Sequence, residues 1–159
     1  RWHFIGHLQT NKVKYIAPFI HLIHVVDSLK LLLEINKQAL KNNRIIDCLL
    51  QVYIAKEETK FGLDENELQE LFNQSANQPI NNVRICGLMG MASFTENMDT
   101  VRKEFRYLKT LFDKHAKLPA PDSRLLTLSM GMSSDYKIAI EEGSTMVRIG
   151  SLLFGSRNP

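Results

Sequence analysis

The sequence predicts an α/β fold in which a parallel sheet is covered by helices. Strand-like runs alternate with helical stretches along the 159 residues of the chain. The strand-like runs are almost continuously apolar, as is typical of parallel strands that are buried on both faces. These two observations leave two architectures open: an open doubly wound sheet and a closed β/α barrel.

Six runs have the length and apolar content of a strand. In chain order they are Trp2–Gly6, His24–Asp27, Ile46–Ile54, Val83–Met89, Leu125–Ser129 and Met146–Ile149. Most of them are short, and each is followed by polar or glycine-containing sequence. We therefore expect six parallel strands that are joined by crossover connections.

Five helical stretches lie between these strands. They cover about Asn11–Phe19, Ser28–Asn42, Asp64–Asn77, Asn97–Lys117 and Ser133–Glu142. In the third stretch, Leu68 and Leu71 recur at helical spacing behind Asp64, which is placed as an N-cap. In the fourth, apolar residues recur in the same way between Val101 and Phe112. The fifth ends before Gly143, a residue suited to the position that follows a helix.

The length of the chain is short for a complete barrel. An eight-stranded β/α barrel typically needs about 250 residues, so six strands would supply roughly three quarters of one. The chain opens on Arg1 and enters an apolar run directly. If the fold is a barrel, we expect residues 1–159 to form a single partial barrel domain that lacks the first two βα units. Its unpaired edges predict dimerisation or pairing with a missing N-terminal piece.

Composition and charge exclude several classes of function. Hydrophobic residues make up 44% of the chain and charged residues 23%, as in ordinary globular domains. No apolar run approaches the roughly 18 to 20 residues of a membrane span, and no secretory signal is recognisable, so we expect a cytoplasmic protein without membrane contact. The net charge of +3 is spread among acids, which does not indicate nucleic-acid binding.

Two segments near the C-terminus are the strongest indication of a binding site. Ser129–Ser133 reads SMGMS and Met146–Ser151 reads MVRIGS, each an apolar run that ends in small hydrogen-bonding residues. The loops after the last two strands of a β/α barrel often bind phosphate through backbone N–H groups and hydroxyls. We expect Ser129 to end its strand, and Gly150 and Ser151 to end the next. Ser133 would begin a helix, where it either binds an anion or is a plain N-cap.

Arg148 lies in an apolar strand, where a charge is costly to bury without a partner. Such an arginine indicates either a binding function or a structural salt bridge. The salt bridge would use an acid such as Asp135.

Three further side chains are weaker candidates. His3 lies on a strand and either lines the interior of the barrel or packs in the core; with His7 it has the spacing of a helical zinc pair, but on a strand that spacing does not bring two ligands together. Asn11 either caps a helix or contacts a ligand at the mouth of the barrel. Lys60 follows a strand and either presents its ammonium at the mouth or is a solvated loop lysine. We expect no metal site.

The sequence resembles the pyridoxal phosphate homeostasis protein family, also described as YggS-like proteins or proline synthetase co-transcribed homologues. Residues Trp2–Lys12, which read WHFIGHLQTNK, are similar to its signature. Further similar segments follow in the same order, namely Glu57–Gly62, Gly87–Met89, Leu128–Ser133 and Gly143–Gly155. The resemblance spans essentially the whole chain.

This resemblance implies a TIM-type (β/α)8 barrel of fold type III, like the N-terminal domain of alanine racemase, holding one pyridoxal 5′-phosphate (PLP). In the family, the lysine that forms the Schiff base lies at the end of the first strand, which would precede Arg1, so no lysine of this chain is assigned that role. Ser129, Ser133, Gly150 and Ser151 would bind the phosphate. His3, Asn11 and Lys60 would lie in or near the cofactor pocket.

The resemblance also assigns a role to Arg148, which would face the pyridine nitrogen of the cofactor. Because arginine stays protonated, it would keep that nitrogen unprotonated and weaken the ring as an electron sink. The function implied is non-enzymatic: a carrier in intracellular vitamin B6 homeostasis that binds PLP and passes it to apo-enzymes. The alternative is a PLP-dependent racemase or decarboxylase acting on amino acids. Racemases of this fold use a second domain or subunit, and the chain ends shortly after Gly155, so we favour the carrier.

Overall fold

In the part of the chain that the structure describes, six parallel strands form one sheet, and their order in space is their order along the chain. The computed structural model describes residues 1–55, 61–116 and 126–155. The strands are β1 His3–Phe4, β2 Leu22–Val26, β3 Ile46–Val52, β4 Val83–Gly90, β5 Thr127–Met132 and β6 Met146–Arg148. This arrangement confirms the predicted parallel sheet.

Helices follow the strands. They are α1 Val13–Ile16, α2 Leu29–Lys41, α3 Glu65–Ala76, α4 Met98–His115, α5 Tyr136–Glu141 and α6 Ser151–Phe154. A single 3-10 turn, Thr10–Lys12, precedes α1. The alternation of strands with crossover helices is the one that the sequence predicts.

The sheet curls into a half-barrel. The ring of His24 on β2 lies 3.2 Å from the hydroxyl of Ser129 on β5, although β3 and β4 lie between these two strands. In a flat sheet, three strand spacings would separate the two residues by about 14 Å. The curvature therefore favours the barrel over the open doubly wound sheet, and it gives the sheet an inner face.

Apolar side chains fill the space between the strands and the helices outside them. All five residues of β2 are buried, and so are six of the seven residues of β3. On the helices, Leu32 and Ile35 of α2 and Phe105 of α4 are fully buried. Burial of both faces explains why the strands read as continuous apolar runs.

The predicted helix signals form as expected at several ends. The side chain of Asp64 accepts a hydrogen bond from the N–H of Glu67, and the Glu67 carboxylate accepts one from the N–H of Asp64, which completes a capping box. After α5, Gly143 has a φ of +94°, and the next N–H, that of Ser144, reaches the carbonyl of Ala139. This left-handed ending satisfies the last carbonyls of the helix.

Three boundaries near the C-terminus differ from the prediction. β5 continues to Met132, so Ser129 lies within the strand and does not end it. The next helix begins at Tyr136, not at Ser133, because Asp135 accepts a hydrogen bond from the N–H of Met132 at 2.6 Å and closes a turn before the helix. Gly150 and Ser151 do not end the last strand, because β6 ends at Arg148 and Ser151 begins the short helix α6, which was not predicted.

The first predicted helix is also shorter than expected. The stretch Asn11–Phe19 contains the last two residues of the 3-10 turn and the four residues of α1, and Pro18 follows after the C-cap residue Ala17. Proline has no N–H to continue the helical hydrogen bonds. The side chain of Arg44 instead donates to the carbonyls of Ala17 and Ile20, both at 2.6 Å, and so fixes the turn that leads into β2.

β4 and β5 approach each other most closely at Gly87. A Cβ atom placed on Gly87 would lie 1.7 Å from the carbonyl oxygen of Thr127 on β5. That separation is far inside van der Waals contact, and the obstacle is backbone, which cannot turn aside. Only glycine allows the two strands to pair here.

We expect the substitution Gly87→Ala to lower the free energy of unfolding by more than about 2 kcal/mol, because the added methyl group forces β4 and β5 apart. Urea unfolding followed by circular dichroism measures the change. Gly6→Ala is the matched control, since a Cβ there meets no atom within 4 Å. Equal stability of the two variants would contradict the close approach.

Candidate functional site

Four polar side chains from four strands meet on the inner face of the half-barrel, and we call them the interior polar chain: His3, His24, Ser129 and Arg148. His3 Nδ1 lies 3.2 Å from His24 Nε2, and His24 Nδ1 lies 3.2 Å from Ser129 Oγ. Arg148 Nη1 donates to Ser129 Oγ at 2.8 Å. The chain thus runs from β1 at one edge of the sheet to β6 at the other.

Arg148 is held by neutral acceptors. Besides the hydroxyl of Ser129, it donates to the carbonyl of Ser129 at 3.0 Å and, through Nη2, to the carbonyl of Gly90 at 3.1 Å. Burial lowers its pKa to about 10, and the charge of Asp135 opposes this lowering in part. The guanidinium therefore stays charged at neutral pH, and its partners leave that charge uncompensated.

The alternative prediction, a structural salt bridge between Arg148 and Asp135, is wrong. Among the residues that the structure describes, Arg148 has no ion pair, and the Asp135 carboxylate accepts the Met132 N–H instead. An arginine in this environment has free capacity to stabilise an acceptor or a negative charge on a ligand.

His24 is neutral in this environment. Its side chain is 1% exposed, and burial, the charge of Arg148 and the proximity of His3 together lower its pKa to about 4. Burial also lowers the pKa of His3, with His21 as the next cause. Arg148 is thus the charged member of the interior polar chain at neutral pH.

A second group of donors, which we call the mouth cluster, comprises Ser133, Gly150, Ser151 and Leu152. Ser133 Oγ accepts from the backbone N–H of Gly150 at 3.3 Å and from that of Leu152 at 3.4 Å. A Cβ placed on Gly150 would meet no atom within 4 Å, so there is open space beside its backbone. Ser151 is exposed at the first turn of α6. The cluster offers backbone N–H groups and hydroxyls at the C-terminal ends of β5 and β6.

The structure divides the residues that the sequence grouped around one phosphate. Ser133 lies with Gly150, as expected, although as an acceptor beside α6 and not as the first residue of α5. Ser129 lies instead in the interior polar chain, fully buried and bonded to Arg148 and His24. The glycine between the two serines, Gly131, has a φ of +95°, and a Cβ there would lie 2.5 Å from that of Ala139. Packing of α5 against β5 therefore requires this glycine.

The weaker candidates have mixed outcomes. His3 lies in the interior polar chain, whereas the ring of His7 lies tilted against that of Phe61, with 5.3 Å between the two ring centroids. Asn11 is exposed in the 3-10 turn, and no side-chain cap forms at that turn or at α1. Lys60 lies outside the described residues.

His24 is the site residue that the sequence analysis missed. Its position in an apolar strand carried the same signal as that of Arg148, since a polar side chain buried in a strand needs a hydrogen-bond partner. Within the described ranges, no group of three or more potential metal ligands comes together, and no helix is long and apolar enough to cross a membrane.

Comparison with known proteins places the chain among proteins with this fold. The family described as "Alanine racemase, N-terminal domain" matches residues 1–158. The pyridoxal phosphate homeostasis protein of Aquifex aeolicus is 48% identical over 156 residues, which cover 98% of this chain and 67% of that protein. The chain spans about two thirds of the length of the curated relatives that it matches.

Solved structures agree with this assignment. PipY of Synechococcus elongatus PCC7942, solved with PLP bound, superposes with a TM-score of 0.86 at 34% identity, over 97% of this chain and 70% of that one. An alanine racemase of Clostridium difficile 630 superposes with a TM-score of 0.72 over 99% of this chain and 40% of that one, but at 13% identity it shows the fold alone. On the strength of the whole-chain matches, this chain belongs to the pyridoxal phosphate homeostasis protein family, within the larger family of alanine racemase N-terminal domains.

Proposed function

We propose that the protein binds pyridoxal 5′-phosphate and serves as a carrier in vitamin B6 homeostasis, without dedicated catalysis. The observation that carries this proposal is the partly buried Arg148, which is held by neutral acceptors and keeps its charge. The names of the relatives and the PLP bound to PipY support the same ligand.

The donors that are present fit the two polar ends of this ligand. The mouth cluster supplies N–H groups of Gly150 and Leu152 and the hydroxyls of Ser133 and Ser151, which is the donor set that a phosphate dianion requires. The open space beside Gly150 leaves room for the anion. Arg148 supplies a fixed cation for the ring nitrogen.

The charge state of the interior supports carriage over catalysis. When bound, PLP supplies a reactive aldehyde and an electron-withdrawing ring. Because Arg148 stays protonated and the neighbouring His24 is neutral, neither group donates a proton readily to the ring nitrogen. A PLP ring with an unprotonated nitrogen stabilises a carbanion poorly. This property suits a protein that holds the cofactor without catalysing a reaction on it. No lysine of this chain is proposed as the covalent partner.

The assembly of the protein is also part of the proposal. β1 and β6 form the edges of the described sheet, and large apolar side chains are exposed beside both, among them Trp2 near β1 and Phe154 near β6. Exposed strand edges with apolar neighbours favour pairing with another chain. We propose that these edges pair with an N-terminal piece of the protein or, in the purified chain, with a second copy.

Ligand binding is tested with pyridoxine 5′-phosphate, whose alcohol cannot react with lysines, so that only non-covalent binding is measured. We expect Arg148→Ala to weaken its binding about tenfold to a hundredfold, because the charge-assisted contact to the ring is lost. Isothermal titration calorimetry measures the dissociation constants.

Arg84→Ala is the matched control for this titration. Arg84 is an exposed arginine of β4 that pairs with Asp47 at the opposite end of the sheet. If Arg148→Ala and Arg84→Ala bind the probe equally well, the proposed site is wrong. Carriage is then tested by the transfer of PLP from the loaded protein to an apo-enzyme, with racemisation of free amino acids as the outcome that would favour catalysis.

Self-association is expected for the purified chain. Sedimentation velocity at micromolar concentration should give a mass well above 18.3 kDa. Phe154→Lys should shift the distribution towards monomer, because it places a charge on the exposed edge. Phe94→Lys is the control, since Phe94 is equally exposed but lies in the loop after β4. A monomeric wild-type chain would contradict edge pairing.

Acid should destabilise the protein through His24. Its pKa is about 4 when folded against 6.5 for an ordinary histidine, so the unfolded chain takes up the proton first as the pH falls. The contribution of neutral His24 to the free energy of unfolding is fully present above pH 6.5 and is lost between pH 6.5 and 4, by on the order of 3 kcal/mol in total. The lowered pKa of His3 acts in the same direction.

Urea unfolding at a series of pH values measures this decline. His24→Gln should flatten the slope of stability between pH 6.5 and 5, whereas Ser75→Ala, which changes no titratable side chain, should leave the slope unchanged. A slope that persists in His24→Gln would show that other groups cause the acid sensitivity.

A further inference from the structure

We propose that His24 is a positioning residue that imposes one direction on the hydrogen bonds of the interior polar chain and thereby holds Arg148 for the ligand. The direction follows from which atoms can donate and which can only accept. The role in ligand binding rests on the proposed function, whereas the direction itself does not.

The first link is fixed by the chemistry of arginine. A guanidinium donates hydrogen bonds and accepts none. Ser129 Oγ, at 2.8 Å from Arg148 Nη1, must therefore be the acceptor of that bond. The single proton of the hydroxyl has to be directed elsewhere.

The second link fixes the tautomer of His24. Among the described residues, the only other partner of Ser129 Oγ is His24 Nδ1 at 3.2 Å. If the hydroxyl donates to Nδ1, that nitrogen is unprotonated and the neutral ring carries its proton on Nε2. In the reverse arrangement His24 would donate to Ser129, and the hydroxyl proton would be left without an acceptor at a fully buried site.

The third link extends the same direction to β1. With its proton on Nε2, His24 donates to His3 Nδ1 at 3.2 Å. His3 must then be unprotonated at Nδ1 and carry its own proton on Nε2. The donors run in one direction from Arg148 through Ser129 and His24 to His3, across a sheet whose curvature brings β2 against β5.

The direction of these hydrogen bonds affects the ligand because it holds the side chain of Arg148 in place. Because the Ser129 proton points to His24, the lone pairs of its oxygen remain directed at the guanidinium. Removal of the His24 ring would free the hydroxyl to rotate and would loosen one of the three described acceptors of Arg148. The phosphate-binding N–H groups of the mouth cluster are held by Ser133 and would not be affected.

The direction is tested on the ligand-free protein by two-bond ¹H–¹⁵N correlation spectra, which distinguish the two neutral histidine tautomers. We expect His24 and His3 each to carry the proton on Nε2 with an excess of at least about tenfold, which is about 1.4 kcal/mol. In Ser129→Ala the minor tautomer of His24 should become visible, while Ser75→Ala, which removes a hydroxyl bonded to Phe72 on α3, should change nothing. A proton on Nδ1 of His24 in the wild type, or no response to Ser129→Ala, would overturn the proposed direction.

The positioning role is tested by a pair of variants at position 24. His24→Asn retains an acceptor where Nδ1 lies, whereas His24→Leu has none. We expect His24→Leu to weaken the binding of pyridoxine 5′-phosphate about fivefold to tenfold, His24→Asn to recover most of that loss, and the binding of inorganic phosphate to remain the same in both. Equal affinity of wild type and His24→Leu would overturn the positioning role. If the probe does not bind the wild-type protein, the proposed function fails, while the tautomers still decide the direction of the chain.

Discussion

The partly buried charge of Arg148 is the constraint on which the inner face of this fold depends. A guanidinium inside a sheet needs several acceptors, and here two are backbone carbonyls at Gly90 and Ser129 and one is a hydroxyl. The hydroxyl and the carbonyl of Ser129 lie on β5, which pairs directly with β6, and the carbonyl of Gly90 lies on β4, the next strand of the curled sheet. The same curvature brings His24 of β2 against Ser129, which sets the second half of the network.

Neutral acceptors have a further effect on the chemistry of the interior. A carboxylate partner would have neutralised Arg148, and it would have raised the pKa of a histidine nearby by favouring its charged form. Without such a partner among the described residues, burial and then the positive charge of Arg148 lower the pKa of His24 to about 4, and the ring is neutral at neutral pH. One fixed cation and a set of neutral dipoles then define the electrostatics of the inner face.

The architecture could be predicted from the sequence because local signals and buried patterns agreed. The apolar runs form strands, Asp64 caps α3, and Gly143 follows the end of α5 in a left-handed conformation, as the sequence pattern indicates. The errors arose where a side chain or a long-range contact overrides the local pattern. Asp135 holds a turn, so that α5 begins later than predicted. Ser129 lies in the interior because β5 continues to Met132, and this continuation depends on the pairing of β5 with β6, a long-range contact. His24 was missed because its partner is 105 residues away in the chain.

The two groups of donors differ in how much must change when a ligand binds. Arg148 can accept a further partner without breaking its existing bonds, since a guanidinium has five donors. In the mouth cluster, by contrast, the N–H groups of Gly150 and Leu152 already donate to the hydroxyl of Ser133 at 3.3 and 3.4 Å. An entering anion would replace that hydroxyl as the acceptor, and Ser133 could then turn its proton to the anion. Because the bonds lost are long and the bonds gained are charge-assisted, the exchange favours the anion. In the proposed site, the hydroxyl of Ser133 would therefore keep the backbone donors aligned for an anion and would be replaced by it on binding.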